Sequence, residues 1–209
     1  MPTFVLWVKA ELEGVKSLSF PFPSTTWTFD VQQAAGSETR EGVVMDPEEA
    51  RRTAPGPPAF YCHLCTVSSR TREDTCSGCA SAAAPQEVEL TDTKDGVANF
   101  ALKFPGDKRQ SYVKFLAPGE KHKELEKHKV KLRAQTADDG DLVPVLAMEC
   151  RGLEPIKWHP TGPYEAESES GVVFDGVRLD EGDDWCDYDE KAEASMTVGR
   201  EVRYEIRRL

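Results

Sequence analysis

The sequence predicts a mainly β fold, an antiparallel sandwich or distorted barrel built from two loosely similar halves. Many short segments alternate apolar and polar residues, Gly, Pro, Asn and Asp punctuate them, and a single stretch is free of breakers and helix-like. A hydrophobic fraction of 39% beside 30% charged residues is lean but globular, and 209 residues suffice for one domain over 1–209.

Thr3 to Glu13 and Trp27-Thr28-Phe29-Asp30-Val31 alternate as half-buried strands do. Between them, Phe20-Pro21-Phe22-Pro23 predicts a stiff extended connector, because proline fixes its own φ and restricts its predecessor. From Gln32 to Pro58 the pattern dissolves into Glu, Arg, Ala, Gly and Pro, which predicts a disordered insertion over 32–58. A cysteine-knuckle loop follows, then the strictly alternating Glu87-Val88-Glu89-Leu90-Thr91. Val97–Lys103 and Ser111–Phe115 predict two strands joined by a turn at Phe104-Pro105-Gly106-Asp107. Glu120–Arg133 is the helix candidate. Its apolar residues Leu125, Val130 and Leu132 are few, so 117–141 is expected to be a polar, solvated excursion with one short helix. Leu142–Glu149, Val172–Phe174, Val177–Leu179 and Val198–Ile206 complete the expected strands, with acidic loops between the later ones. Ala10-Glu11-Leu12-Glu13-Gly14-Val15 is faintly echoed by Cys150-Arg151-Gly152-Leu153-Glu154-Pro155, as two similar halves would produce.

The net charge of -11 repels phosphate backbones and anionic lipid, so neither nucleic acid nor membrane is an expected partner. No run approaches eighteen apolar residues. The opening Met1–Lys9 is charged too soon for a signal peptide and reads as a first strand. A location in the cytoplasm, or in cytoplasm plus nucleus, is therefore expected, where six cysteines indicate metal rather than disulfides.

The chemistry concentrates in Cys62-His63-Leu64-Cys65 and Cys76-Ser77-Gly78-Cys79. Each two-residue spacing aims two sulfurs at a common point, so Cys62, Cys65, Cys76 and Cys79 are the candidate ligands of one tetrahedral Zn2+. Four thiolates leave no open position for water, so the metal would be structural and the chain no enzyme. Function would then lie in a binding or scaffold surface for a protein partner. The alternative is an intracellular thiol-redox or metal-handling protein whose CxxC pairs cycle or exchange zinc or copper. A redox pair needs a depressed thiolate pKa, usually at a helix N-terminus in a βαβ setting, and no such setting is visible. His63, inside the first turn, is expected to point outward. Cys150 and Cys186 read as small buried apolar groups. The acidic run from Asp180 to Glu190 lacks the sixth-position glycine and closing glutamate of an EF-hand, and predicts a solvated loop anchored by Trp185 and Tyr188. No nucleophile–base arrangement and no Gly-rich phosphate loop stand out.

The blocks Glu149-Cys150-Arg151-Gly152-Leu153-Glu154-Pro155 and Asp184-Trp185-Cys186-Asp187-Tyr188-Asp189-Glu190-Lys191-Ala192, with the opening Ala10-Glu11-Leu12-Glu13, resemble the eukaryotic family of CXXC-motif-containing zinc-binding proteins. The resemblance runs nearly continuously from Met148 to the end and more loosely over the first strands. It implies a small, mostly β protein in which two CxxC knuckles on facing hairpins hold one structural zinc. Gly96–Lys103 resembles the strand entering the second knuckle, but Phe104-Pro105-Gly106-Asp107 stands where that knuckle's thiols belong. Val88–Thr91 resembles the strand after the first knuckle, which matches Cys76 and Cys79 to it; a rival alignment matches Cys62 and Cys65. On either alignment the local set of four is expected to have replaced the lost pair.

Overall fold

The computed structural model describes residues 1–48, 98–179 and 183–209, and in them nearly every regular element is a β-strand. A five-stranded antiparallel sheet is ordered β15 (Arg203–Arg208), β1 (Thr3–Lys9), β9 (Val143–Arg151), β7 (Ser111–Leu116) and β6 (Phe100–Leu102). A second sheet is ordered β10 (Leu153–His159), β4 (Trp27–Gln33) and β5 (Thr39–Met45). A third runs β12 (Val173–Val177), β11 (Tyr164–Ser168), β3 (Val15–Ser19) and β8 (Gln135–Thr136). The last is β13 (Trp185–Asp189), β14 (Ala194–Val198) and β2 (Leu12–Glu13). The described strands close no barrel.

The two halves are related by strand exchange. β1 and β9 lie side by side with Leu6 opposite Leu146. Each then bends at a glycine with positive φ, Gly14 at 67° and Gly152 at 75°, and enters a different sheet. β3 of the first half pairs with β11 of the second, while β10 of the second pairs with β4 of the first. Both bends are crowded: a Cβ on Gly14 would sit 2.5 Å from the Ser195 carbonyl oxygen, and one on Gly152 would sit 2.4 Å from Ser111 Oγ. Only glycine meets both demands. The faint echo in the sequence thus has a structural basis, with Gly14 equivalent to Gly152.

The core fills the space between the sheets. Phe20, Trp27, Trp158 and Tyr164 meet there with ring centroids 4.8–6.4 Å apart, and Tyr204 stands edge-on to Trp158 at 5.5 Å. Burying rings of this size contributes more per residue than any other side-chain type. The 20–23 connector is a turn rather than an extended segment, with Thr25 N–H donating to Pro21 O at 2.9 Å, and this delivers Phe20 into the cluster.

Three further expectations about local structure change. Residues 39–45, inside the expected 32–58 insertion, form β5, because Met45 is buried beside Trp27 and Asp30 Oδ1 accepts from Gly42 N–H at 2.8 Å. Residues 49–58 lie outside the described part.

The 117–141 segment is not a wholly solvated excursion. Its helix α1 spans only Lys123–Lys127, and Leu125 is buried with Val5, Leu116 and Ala147 in a second core, joined at its edge by Val130 and Leu132. A Schellman closure ends the helix: Val130 N–H donates to Leu125 O at 2.9 Å and Lys129 N–H to Glu126 O at 3.1 Å, with Lys129 at φ 55°. Buried Gln135 accepts from Ala10 N–H at 2.8 Å and donates to Ala10 O at 2.7 Å, satisfying the backbone where the Thr3–Glu13 stretch breaks.

Within the acidic run, Trp185–Asp189 forms β13 rather than a loop. Trp185 packs on Phe174, but Tyr188 is exposed and anchors nothing.

Candidate functional site

Cys62, Cys65, Cys76, Cys79 and His63 lie outside the described residues, as does the expected strand at Glu87–Thr91. What the structure fixes is the base from which the cysteine segment departs. Chain leaving β5 ends its described part at Glu48, whose N–H donates to Asp46 Oδ1 at 2.8 Å. Chain returning at Ala98 leads to Asn99, which joins both ends. Its Nδ2 donates to Pro47 O at 2.8 Å, its Oδ1 accepts from Phe115 N–H at 2.8 Å, and its own N–H donates to Val113 O at 3.0 Å. One carboxamide therefore pins the two ends of the segment to each other and to β7.

The Phe104–Asp107 turn is where the resemblance placed a second knuckle. It is closed by Asp107 N–H donating to Phe104 O at 3.1 Å, and it faces the β4–β5 turn, closed by Gln33 N–H to Glu38 O at 2.8 Å. Across the junction Gln33 Nε2 donates to Asp107 Oδ2 at 2.8 Å, and Ala34 N–H donates to Gly152 O at 3.0 Å. Phe104 is buried and serves the core. One carboxamide and one carboxylate already bonded to each other do not make a zinc site, which wants thiolate or imidazole donors around a tetrahedron. Among the described residues no group of three or more His, Cys, Asp or Glu side chains is placed to hold a metal. The facing turns do not fit the ion.

The two described cysteines part company. Cys150 is fully buried, and burial pushes its thiol far above the usual range, which suits an inert packing group. Cys186, expected to be buried, is exposed on edge strand β13 opposite Thr197, with Sγ 3.7 Å from Thr197 Oγ1.

The acidic block proves to be a fastening rather than a ligand set. Asp189 is buried; hydrogen bonding by Ser168 and Ser170 holds its carboxyl down at about 2. It also accepts from Lys191 and Ala192 N–H at 2.9 and 3.2 Å, while Asp184 Oδ1 accepts from Arg200 N–H at 2.9 Å. The sequence signal for this was an aspartate directly before a turn, placed to accept from the N–H two residues on, the Asx pattern. His159 pairs with Asp30 at 2.7 Å and His122 with Glu149 at 3.1 Å, so neither histidine belongs to a metal cluster among the described residues. No described helix is long and apolar enough to cross a membrane.

A family profile described as "CXXC motif containing zinc binding protein, eukaryotic" matches residues 75–207. The "CXXC motif containing zinc binding protein" of Bos taurus is 41% identical over 69 residues, 32% of this chain and 42% of its own length. The human protein of that name is 42% identical over 62 residues, 29% of this chain and 38% of its own length. A UPF0587 protein of Schizosaccharomyces pombe is 39% identical over 62 residues, again 29% and 38%. The matched stretch thus spans less than half of these relatives. Two solved structures share the fold at 20% identity. A hypothetical protein from Plasmodium falciparum has TM-score 0.65, covering 99% of this chain and 100% of its own, and C1orf123 has TM-score 0.67, covering 99% of each. With the profile spanning well over half of its residues, this chain belongs to the eukaryotic CXXC motif containing zinc-binding protein family.

Proposed function

We propose that this chain is a non-catalytic zinc protein in which Cys62, Cys65, Cys76 and Cys79 hold one structural Zn2+. The observation that carries the reading is a contrast. The turns facing each other across Gln33 and Asp107 offer one carboxylate, already accepting from Gln33, and neither thiolate nor imidazole, while the one close-spaced set of four thiols in the sequence lies between chain ends that Asn99 joins. With sulfur filling all four positions the ion supplies fold stability and no Lewis-acid chemistry; structural zinc in small modules contributes roughly 10–16 kcal/mol of apparent binding free energy. The surface would then serve as a binding or scaffold module for a protein partner in the cytoplasm. The charge of -11 disfavours nucleic acid and anionic membrane as partners.

Metal analysis of the purified full chain tests this. One equivalent of zinc is expected, falling sharply in Cys76→Ser. A full equivalent surviving that substitution sinks the assignment. Thiol titration separates the metal-handling alternative: structural thiolates stay protected until a chelator strips the ion, whereas exchanging or redox thiols react at once.

A further inference from the structure

Two of the sheets end close together on open strands. β12 is the last strand of the order β12-β11-β3-β8 and β13 of the order β13-β14-β2, and no ladder joins the two among the described residues. Side chains meet there instead. Phe174 of β12 stands edge-on to Trp185 of β13 with centroids 6.2 Å apart, and Ser170, in the turn before β12, donates to Asp189 Oδ2 at 2.6 Å. A cleft of about 290 Å³ opens at the head of β13, its described lining being Gly176, Arg178, Asp183, Asp184, Trp185 and Cys186. A Cβ on Gly176 would meet nothing within 4 Å, so that wall is open.

The outer edge of β13 is free to pair. β14 covers one side of it, from Trp185 opposite Val198 to Asp189 opposite Ala194, and no described strand covers the other. Tyr188 N–H donates to Asp187 Oδ1 at 2.7 Å, a bond local to the strand that marks this N–H as directed away from β14. In an antiparallel ladder the N–H and C=O of one residue point the same way and the direction alternates along the strand, so Cys186 shares it. Two donors and two acceptors thus face outward, and Cys186, Asp187 and Tyr188 around them are exposed. The edge of β12 is different. Its register with β11 shifts between Tyr164 and Ala166 and Gly176 takes φ 78°, the kind of irregularity that closes an edge to pairing.

We propose that β13 receives an extended, basic segment of a partner protein, which adds a strand along Trp185–Asp189 and sets a basic side chain in the cleft beside Asp183 and Asp184. Charge selects the occupant. Between 175 and 200 the described residues carry seven carboxylates against Arg178, Lys191 and Arg200, so the sign stays negative with all three bases paired. Carboxylates along an edge repel a second copy of the same edge, which disfavours pairing of β13 with itself across a two-fold axis. A strand with lysine or arginine at alternate positions meets them with opposite sign. Pairing also draws Tyr188 N–H away from Asp187 and frees that carboxylate for a cation. The proposal rests on the binding-module reading and names its surface and the chemistry of its partner; none of its residues is a candidate zinc ligand.

Amide NMR of the full, zinc-loaded chain at low ionic strength is the test. The probes are the peptide acetyl-Lys-Val-Lys-Val-Lys-Val-Lys-amide, its glutamate-for-lysine counterpart, and a fully N-methylated lysine peptide of the same charge that cannot donate to a strand. The lysine peptide is expected to bind with submillimolar Kd, to move the amides of 183–189 and Gly176 first, and to weaken as salt is added. The N-methylated peptide should bind roughly tenfold more weakly or worse, and the glutamate peptide not at all. Tyr188→Pro removes an outward N–H at a position where an edge strand tolerates proline; it should keep its thermal midpoint and lose roughly tenfold in affinity. The double variant Asp183→Asn, Asp187→Asn changes only exposed side chains, and should lose several-fold and flatten the salt dependence. An N-methylated peptide that binds as tightly, affinity unmoved in the double aspartate variant, or no binding at millimolar peptide would each overturn the proposal. Shifts confined to another surface would overturn it too, while leaving the module reading standing. Failure of the module reading itself shows separately, in thiols that react at once in the titration above.

Discussion

Gly152→Ala tests the architecture at its most constrained point. At φ 75° an alanine carries the left-handed penalty of about 1–2 kcal/mol, partly offset by about 0.4–1 kcal/mol from a less flexible unfolded chain. Its Cβ would also meet Ser111 Oγ at 2.4 Å, Ser111 Cβ at 3.2 Å and Ser111 Cα at 3.3 Å. The hydroxyl can turn aside only at a cost of about 0.5–1.5 kcal/mol, and the two carbons belong to β7 and cannot move, so overpacking of about 1–3 kcal/mol in all is added. The expected loss is about 2–4 kcal/mol, a drop in midpoint of roughly 5–15 °C for a chain of this size. Guanidinium unfolding followed by the emission of the four tryptophans measures it, with the slope checked for constancy. In a Ser111→Ala background the oxygen contact disappears while the two carbon contacts and the φ strain persist. Gly152→Ala should therefore cost about 1 kcal/mol less there, a coupling that a double-mutant cycle resolves. Equal costs in both backgrounds, or a loss under about half a kcal/mol, would refute the close approach of the β9–β10 bend to β7.

Two further outcomes follow from named contacts. Asn99→Ala removes the bonds to Pro47 O and from Phe115 N–H and should cost about 1–3 kcal/mol, measured in the same unfolding assay. Asn99→Asp keeps the acceptor for Phe115 but sets a carboxylate against the Pro47 carbonyl, so it should speed protease cleavage between 49 and 97 more than elsewhere. Acid stability depends on depressed carboxyls. Asp139 is held well below the usual range by the Arg133 guanidinium at 2.6 Å, and Asp189 is held at about 2 by Ser168 and Ser170. Because these folded-state values lie below the unfolded value near 4, their stabilisation is intact above about pH 4 and lost as pH falls towards 2. Thermal midpoints should thus hold steady from pH 7 to about 5 and fall between about 4 and 2, with a shallower fall in Asp189→Asn; an unchanged slope would contradict the role given to Asp189.

Periodicity alone determined that the chain is β-rich, because alternation at a period of two is a local property that survives in any sheet. β1, β4, β7 and β9 were legible for that reason. The family was legible too, in blocks whose residues prove to hold bends and hairpins: Gly152 at the exchange of halves and Asp189 beneath its turn. Tertiary structure alone decided the rest. β5 carries too much charge to announce itself and exists because Met45 and Gly42 find partners twelve and more residues away. The same is true of the Asn99 tie and the Gln33–Asp107 bridge, each made by side chains distant in sequence. No local pattern records such meetings; they arise only when strands from both halves are interleaved.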